Sequence, residues 1–468
     1  MKKLLATLLV GLMAVSAVGC AGGNGGGSGS GTIGAEGKIA FSVGSWPSAK
    51  RPKALEQYTD MEKRFEEANP EYDVVGDTWS FSLDTFLAKA ASDNLPDLYG
   101  TYFTEGNRVI KAGYCADLTK FVKKYGYEDM INESIKHLVM ADGKYYMLPQ
   151  SAYNMGLYLH KGLFEQAGLV NEDGSIKVPQ TYEEMAETAK IIKDKTGQHG
   201  IVICTANNTG GWNFLNIAWA FGTEFMKQDE SGRWIATFDS PECAAALQYI
   251  KDLRWKYDVI PYEAAATGEH QQKYFGSNQA AMFIGTPPQD ELKTIYGMEH
   301  DDIVIANLPA GPAGRFSQIG GELNVVRRTV NDDQMEGIFK WIDHSNRGYS
   351  MTDDAKKSME DSYALRKEEG KLVGVYQFSP WSEKAEKTAY ERSVIDKYAT
   401  VDAANVKEFN NAPADLVLKP EEPVACQELY AVLDSCIQEV ITNKDADPAA
   451  LLKEAAANFQ VDQLDIAQ

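Results

Sequence analysis

Strand-like and helix-like patterns alternate along the first hundred residues, and this alternation restricts the fold more than any other feature of the chain. Lys38 to Val43 and Tyr72 to Val75 are short, partly apolar segments typical of strands. Between them, apolar residues recur at three- and four-residue spacing from Lys53 to Ala68, which predicts an amphipathic helix. The dipeptide Asn69-Pro70 ends that helix. Strand–helix–strand order predicts a mainly parallel α/β sheet.

A second helix and a third strand continue the pattern. Apolar spacing from Leu83 to Ala91 predicts the helix, and Pro96 to Tyr99 predicts a strand that enters the loop 100–105. Ligands of open parallel sheets bind outside the carboxyl ends of the strands. The residues that follow the predicted strands are therefore candidates for a ligand site: Trp46, Trp79, Tyr102, Phe103 and Glu105.

The middle of the chain repeats this organisation. Thr181 and Glu184 have the spacing of a capping box at the start of a helix. Ile201 to Cys204 predicts a strand that leads into the polar, glycine-containing loop 206–214. Because Trp212 lies in that loop, we expect its ring at the carboxyl end of the strand, where it can contact a ligand.

The charge balance and the missing motifs exclude several function classes. The 468 residues include 46 Lys and Arg and 67 Asp and Glu, a net charge of −21. This balance repels a phosphate backbone, so we expect no nucleic-acid partner. The His-Glu-x-x-His metal motif, the phosphate-binding loop and the nucleophile elbow are absent from the sequence. We therefore expect no metal, no cofactor and no covalent chemistry, although the two carboxylates of a glycosidase would leave no motif.

The first twenty residues have the features of a secretion signal. Lys2 and Lys3 precede an apolar run of 16 residues, Leu4 to Gly19, shorter than the ~20 that a membrane-spanning helix needs. Ser16 to Cys20 resembles a bacterial lipobox, in which the cysteine is lipidated. We therefore predict a signal peptide at 1–19, and a lipid-anchored Cys20 with a Gly/Ser tether at 20–35. The alternative is an ordinary secretory signal with a coincidental cysteine.

The other cysteines do not form a disulfide framework. They are odd in number and contain no Cys-x-x-Cys pair. At most one incidental disulfide is expected, and most of these side chains are predicted to be small buried apolar groups. They are Cys115, Cys204, Cys243, Cys426 and Cys436.

Several motifs, taken in their order along the chain, resemble those of a known protein family. They are GKYYMLPQ at 143–150, GLYLHKGLFEQAGL at 156–169, PQTYEEM at 179–185, FGSNQAAM at 275–282, LPAGP at 308–312 and the Gly320-Gly321 pair. Together they resemble family 1 extracellular solute-binding proteins, the carbohydrate receptors of ABC importers. The resemblance covers about residues 38–345.

The resemblance implies a two-lobed α/β fold of the periplasmic-binding-protein type (type II), with three hinge crossings and a sugar in the cleft. Carried onto this chain, the crossings fall near 149–153, 281–284 and 317–321. The first lobe would comprise 36–150 and 282–318, and the second 151–281 and 319–468. The expected hinge residues are Pro149, Gln150, Met282, Gly320 and Gly321.

A sugar ring has an apolar face and a polar hydroxyl rim, so its receptor needs aromatic rings and polar side chains together. Candidate aromatic contacts are Trp46, Tyr102, Tyr153, Trp212 and Trp381. Candidate partners of the hydroxyl groups are Glu105, Asn154, Asn213, Gln289 and Glu322. Trp46 and Tyr102 could instead pack within a lobe.

These inferences predict a monomeric lipoprotein on the extracytoplasmic face of the bacterial cell membrane. It would capture a carbohydrate, an oligosaccharide in the first instance, and deliver it to the permease subunits of an ABC importer. Two alternatives stay open. A surface-anchored glycoside hydrolase would release a product, and an adhesin would bind through a flat exposed patch.

Overall fold

The structure is a computed structural model that describes Ala35 and residues 37–467. The expected signal peptide, Cys20 and nearly all of the tether lie outside the described residues. The strands are β1 (Ile39–Val43), β2 (Tyr72–Gly76), β3 (Leu98–Tyr102), β4 (Met140–Ala141), β5 (Lys144–Tyr145), β6 (Met147–Asn154), β7 (Gly156–His160), β8 (Met226–Gln228), β9 (Trp234–Ala236), β10 (Met282–Gly285), β11 (Ile303–Ala306), β12 (Ala310–Gly311), β13 (Gly314–Val326) and β14 (Leu416–Pro420).

Helices connect and cover these strands. They are α1 (Pro52–Ala68), α2 (Leu83–Ala91), α3 (Gly106–Lys111), α4 (Thr119–Lys124), α5 (Lys161–Gln166), α6 (Tyr182–Thr196), α7 (Thr209–Phe221), α8 (Pro241–Trp255), α9 (Gly268–Gly276), α10 (Glu291–Thr294), α11 (Asp332–His344), α12 (Asp353–Glu368), α13 (Lys387–Tyr398), α14 (Ala403–Asn410), α15 (Cys426–Thr442), α16 (Pro448–Phe459) and α17 (Asp465–Ala467).

The predicted strand–helix–strand order and the α/β class are confirmed, but the sheet is mixed and not mainly parallel. β1 pairs in parallel with β2 and, at Val43, with β3. α1 connects β1 to β2, as its apolar spacing predicts, and it buries Met61 and Phe65. The long strand β13 runs antiparallel to both β3 and β6, and β14 pairs in parallel with its first half. The strand predicted at 201–204 is not formed, and this segment contributes only an isolated bridge between Val202 and Phe283.

A second sheet lies at the centre of the other half of the protein. β7 is its middle strand, with β10 and β11 antiparallel on its two sides. All five residues of β7 are buried, because neighbours cover both its edges and its faces. β10 and β11 therefore belong to the same packed unit as β7.

The buried apolar residues form three clusters. The first core contains residues from 41–148 and 319–342, together with Trp381 and Ala385. The second core combines residues from 155–308 with residues from 426–464. A third, smaller cluster joins residues of the β7 sheet to residues from 372–409.

This packing differs from the expected division of the chain at two segments. Residues 282–308 pack with 155–281, whereas the sequence-based division grouped them with 36–150. Residues 319–342 pack in the first core, whereas that division grouped them with 151–281. The physical reason is strand pairing, because β7 requires β10 and β11, and the second half of β13 pairs with β3.

The cysteines of the described chain are buried and free, as most were predicted to be. They are Cys115, Cys204, Cys243, Cys426 and Cys436. Within the described part of the chain, no helix combines the length and the apolar character needed to cross a membrane.

Candidate functional site

A cavity of about 450 Å³ lies where β3, β6 and β13 meet the start of α7 and the segment before α15. We call it the first cavity. Its wall consists of Tyr102, Thr104, Ser151, Tyr153, Asn207, Asn208, Thr209, Trp212, Gly321, Glu322, Glu421, Gln427 and Tyr430. The wall thus brings together five segments that are far apart in the sequence.

The close contact between α7 and α15 shapes one side of this cavity. A Cβ atom at Gly211 would overlap the backbone of Tyr430, and one at Gly210 would meet a carboxylate oxygen of Asp434. Only glycine therefore allows the two helices this separation. The Gly210-Gly211 pair in the loop predicted from the sequence is thus a packing requirement.

Asp434 of α15 holds the start of α7 in place. Its carboxylate accepts hydrogen bonds of 2.7 Å from the backbone N–H groups of Asn208 and Gly211. These donors belong to the unpaired amides at a helix start, which a carboxylate satisfies well. Asp434 thereby fixes the start of α7, whose first turn carries Trp212 at the cavity, although Asp434 does not line the cavity itself.

The floor of the cavity is formed by the antiparallel pair β6 and β13. Gly320 lies opposite Tyr153, and Gly321 lies opposite Ala152. A Cβ at Gly320 would overlap the Tyr153 ring, and one at Gly321 would overlap the carbonyl oxygen of Ser151. The two glycines therefore let the Tyr153 ring lie against the neighbouring strand.

Among the carboxylates of the wall, Glu421 has the pKa that is raised most. Its Oε1 accepts hydrogen bonds from the Tyr430 hydroxyl at 2.7 Å and from Gln318 Nε2 at 2.9 Å. Burial nevertheless raises the pKa of Glu421 to about 7, against the opposing effect of these hydrogen bonds. Near neutral pH this group can therefore either accept or donate a hydrogen bond.

Glu322 is the second carboxylate of the cavity. Its Oε2 accepts a 2.9 Å hydrogen bond from Gln150 Nε2. Although its side chain reaches the cavity, the protein that surrounds it on the other sides raises its pKa by desolvation. Among the described residues, no Lys, Arg or His lines this cavity. The wall is therefore acidic or neutral.

The aromatic rings lie close together on one side. The Tyr153 and Trp212 rings have centroids 6.1 Å apart and an interplanar angle of 78°, an edge-to-face pair. Tyr102 is 40% exposed. Aromatic faces beside amide, hydroxyl and carboxylate groups are the combination that a polyhydroxylated ring requires.

Four of the ten candidate ligand residues line the first cavity: Tyr102, Tyr153, Trp212 and Glu322. Two of the candidate tryptophans are core residues instead. The Trp46 ring stacks on Trp341 at 5.8 Å, and Trp381 is 2% exposed beside Tyr127. Trp46 is thus placed by the packing of the first core, the alternative that its sequence left open.

The polar candidates outside the first cavity have structural partners. Asn154 and Asn213 are buried, and they bond the backbone of Phe378 and Ile284 respectively. Gln289 donates to the carbonyl of Thr286. Glu105 is 6% exposed, lies 3.6 Å from Arg108 and lines a neighbouring cavity.

The expected hinge residues fall into two groups. Pro149 and Gln150 lie on β6, which leaves the first core at Leu148 and enters the second at Met155. Gly320 and Gly321 lie on β13, which also passes between these cores. Met282 lies within β10, paired with Leu159 in the second core, so no passage between cores occurs there.

Sequence reasoning missed eight residues of the cavity wall. They are Thr104, Ser151, Asn207, Asn208, Thr209, Glu421, Gln427 and Tyr430. Asn207 and Asn208 lie in the segment predicted as a loop from its glycine and polar content, but that prediction is wrong from Thr209 onward, where α7 begins. No sequence pattern marks the three from 421–430 as ligand residues, because the chain beyond residue 345 matches the recognised motifs poorly. Among the described residues, no group of three or more His, Cys, Asp or Glu could hold a metal ion.

Comparison with known proteins gives a consistent result. The sequence model of the family described as bacterial extracellular solute-binding protein matches residues 27–344. A putative binding protein of Brucella abortus (strain 2308) is 22% identical over 436 residues, which are 90% of this chain and 92% of the relative. A polygalacturonan/rhamnogalacturonan-binding protein of Bacillus subtilis (strain 168) is 24% identical over 296 residues, 61% of this chain and 57% of the relative.

Solved structures share the fold. The maltose-bound MalE3 of T. maritima superposes with a TM-score of 0.64 at 20% identity, covering 90% of this chain and 99% of that protein. The two-lobed α/β architecture expected from the motifs is therefore confirmed.

Proposed function

This chain belongs to the family of bacterial extracellular solute-binding proteins, and from that premise we propose that it binds a carbohydrate in the first cavity and delivers it to an ABC importer. The observation that carries the proposal is the cavity wall. Tyr102, Tyr153 and Trp212 offer aromatic faces, and amide and hydroxyl groups surround them. Several rings and polar groups distributed over about 450 Å³ fit an oligosaccharide better than a single small ion.

The charged groups of the cavity wall restrict the class of sugar that the cavity can bind. Glu322 and Glu421 are the ionisable acids of the first cavity, and no cationic side chain lines it. A uronic acid would bring a second anion beside these carboxylates without a compensating cation. We therefore propose neutral or amino sugars as ligands, in contrast to the acidic polygalacturonan named for the Bacillus subtilis relative.

A thermal-shift screen against a glycan library tests this function. The library contains neutral oligosaccharides, N-acetylated amino-sugar oligosaccharides and oligogalacturonates of matched length. A ligand at 100 times its Kd stabilises the folded state by about 2.7 kcal/mol. We expect stabilisation by a neutral or amino-sugar oligomer and none by the uronates. Stabilisation by oligogalacturonates alone would contradict the proposed ligand class.

The same samples distinguish a receptor from a glycoside hydrolase and from an adhesin. Chromatography after long incubation should return the bound glycan unchanged, whereas a glycoside hydrolase would release shorter products. Replacement of Trp212 by alanine should also weaken glycan binding, roughly 30- to 150-fold. An adhesin that used a flat surface patch would be insensitive to that replacement.

Delivery to an importer requires the protein to be held at the membrane. We propose that residues 1–19 are removed and that Cys20 carries the lipid, so that the receptor is a monomer on the extracytoplasmic face. In Cys20→Ser the lipid should be absent and the protein should move from the membrane fraction to the soluble extracytoplasmic fraction. Retention of this variant in the membrane fraction would contradict anchoring through Cys20.

Capture also implies closure around the sugar. β6 and β13 are two strands that pass between the first and second cores, and we propose that the lobes rotate about them. Small-angle scattering should give a smaller radius of gyration with a confirmed ligand than without it. An unchanged radius at saturation would argue against closure.

A further inference from the structure

A second cavity, of about 390 Å³, adjoins β6 and is distinct from the first. Ser151 lines both, but its neighbours differ, because Ala152 lines the second cavity and Tyr153 the first. The two cavities therefore share Ser151, and their other lining residues differ. Residues 345–347 and α13 supply much of the remaining wall of the second cavity.

Two buried cationic side chains line this second cavity. Arg347 is 7% exposed and Lys387 is 4% exposed. Lys387 Nζ donates to the carbonyl oxygens of Asn346 and Gly348, and it has no carboxylate within ion-pair distance among the described residues. The Arg347 side chain has neither a hydrogen bond nor an ion pair with any described residue.

An unpaired buried guanidinium is unfavourable, because its desolvation is not compensated. The positive charge of Arg347 opposes the rise in the pKa of Glu322, which lines the first cavity, but no ion pair joins the two side chains. Glu391 is the carboxylate on the wall of the second cavity, and it accepts a hydrogen bond of 3.0 Å from the Tyr363 hydroxyl. Glu391 and Asp343 are carboxylates close enough to Lys387 to favour its charged form. Among the described residues, neither of them forms an ion pair with Arg347, so it is the charge of Arg347 that stays unpaired.

Three polar atoms of the same wall also have no partner. They are Gln150 Oε1, Ser345 Oγ and Asn346 Oδ1, all buried. Buried polar atoms are nearly always hydrogen-bonded, so three together mark side chains that lack their partners. Each of these oxygens has almost no accessible surface, so the hydroxyl groups of a ligand would reach them only after the side chains turn toward the cavity. The two amide oxygens require hydrogen-bond donors, and the arginine requires an anion.

We propose that the second cavity binds a small hydroxylated oxyanion, whose phosphate or carboxylate group contacts Arg347 and Lys387 and whose hydroxyl groups donate to Gln150 and Asn346. A guanidinium matches the planar, two-oxygen geometry of both anions. This site is separate from the carbohydrate site of the first cavity. Its test does not depend on a sugar.

The experiment measures the melting temperature in a phosphate-free buffer with added inorganic phosphate or citrate, at constant ionic strength set with sodium chloride. Phosphate tests the anion alone, and citrate combines carboxylates with a hydroxyl group. The wild type should show a saturable rise with at least one of them. Arg347→Met should weaken that response at least tenfold, and Arg328→Met, an exposed arginine outside the cavity, should retain it.

The anion-free melting temperature of Arg347→Met provides the second measurement. If Arg347 serves to bind an anion and not to stabilise the fold, replacing it by an apolar side chain of similar length should leave this melting temperature unchanged or raise it. A large decrease, or failure to fold, would show that Arg347 has a structural role and would overturn the proposal. So would the absence of a saturable response in the wild type, or an undiminished response in Arg347→Met.

Discussion

The Tyr430 hydroxyl donates a 2.7 Å hydrogen bond to Oε1 of Glu421, and this pair closes one side of the first cavity. The carboxyl group lies among protein atoms that desolvate it, and its pKa rises from an ordinary 4.5 to about 7. The hydrogen bonds from Tyr430 and Gln318 oppose this rise but do not cancel it. The cavity therefore contains an acid that titrates near neutral pH.

This raised pKa predicts a pH-dependent stability. Between pH 4.5 and 7 the folded state holds a proton on Glu421 that the unfolded state has lost, so stability decreases as the pH rises through this window. Glu421→Gln cannot titrate. The free energy of unfolding of the wild type should fall relative to that of Glu421→Gln by up to about 3 kcal/mol between pH 4.5 and 8.

Denaturant titrations of both proteins across this range check the prediction. Glu454→Gln changes an exposed glutamate on α16 by the same chemistry and is the matched control. Its difference from the wild type should vary much less with pH. If the Glu421→Gln difference were flat across the range, the carboxyl would not be desolvated as the structure indicates.

The contact between Gly211 and Tyr430 predicts a steric effect. Gly211→Ala places a methyl group against the backbone of α15, so the helices must separate or distort. Overpacking of this kind costs about 1–3 kcal/mol, and glycan affinity should fall because both helices contribute to the wall of the first cavity.

Gly268→Ala is the matched control for this substitution. Gly268 begins α9, and a Cβ there meets no atom within 4 Å. Its replacement should leave stability unchanged or raise it by about 0.4–1 kcal/mol, with unchanged affinity. Equal effects of the two substitutions, by chemical denaturation and calorimetric titration, would contradict the proposed role of helix packing.

The elements that the sequence predicts well are those with local causes. The apolar spacing of Lys53 to Ala68 and of Leu83 to Ala91 predicts two helices that the structure contains nearly residue for residue. Trp46 shows what local sequence patterns do not predict. Its neighbours predict a loop after a strand, but its stacking on Trp341 depends on a helix almost 300 residues later.

The candidate site could be predicted only where a local sequence pattern marked it. Trp212 follows two glycines, a local signal, and it does line the first cavity. The bond between Asp434 and the Gly211 N–H joins residues 223 positions apart, and neither segment reveals the other. Glu421 and Tyr430 were missed for the same reason, because only the folded chain brings α15 to α7.

Removal of the Asp434 carboxylate should affect both stability and binding. Asp434→Ala leaves the Asn208 and Gly211 N–H groups without their acceptor. Loss of a helix cap costs about 0.5–2 kcal/mol. The start of α7, with residues 207–208 before it, should also lose its fixed position, so we expect glycan affinity to fall about tenfold, or ~1.4 kcal/mol.

Asp447→Ala provides the control for this loss. Asp447 caps α16 by accepting from the N–H of Ala449 at 2.9 Å, and it does not line the first cavity. The two variants should lose similar stability in chemical denaturation. In calorimetric titration only Asp434→Ala should lose affinity, and equal affinities would mean that the cap does not position the start of α7.

Trp212→Ala tests the aromatic contact on which the carbohydrate proposal depends. The ring is half-buried, because it packs against the second core while it lines the first cavity. Loss of stacking and of buried ring area should weaken glycan binding by about 2–3 kcal/mol, or roughly 30- to 150-fold. The ligand-free protein should lose less than the ~3–5 kcal/mol typical of a fully buried tryptophan.

The control for this last substitution is Trp255→Ala. Trp255 is also half-buried, but its Nε1 donates to the carbonyl of Val440 and its ring lies outside the first cavity. It should lower the stability of the ligand-free protein without changing affinity. Calorimetric titration and denaturant unfolding of both variants separate the two roles of a tryptophan here. If Trp212→Ala lost stability as a core tryptophan does and kept wild-type affinity, Trp212 would be a packing residue and the first cavity would have to bind its ligand without it.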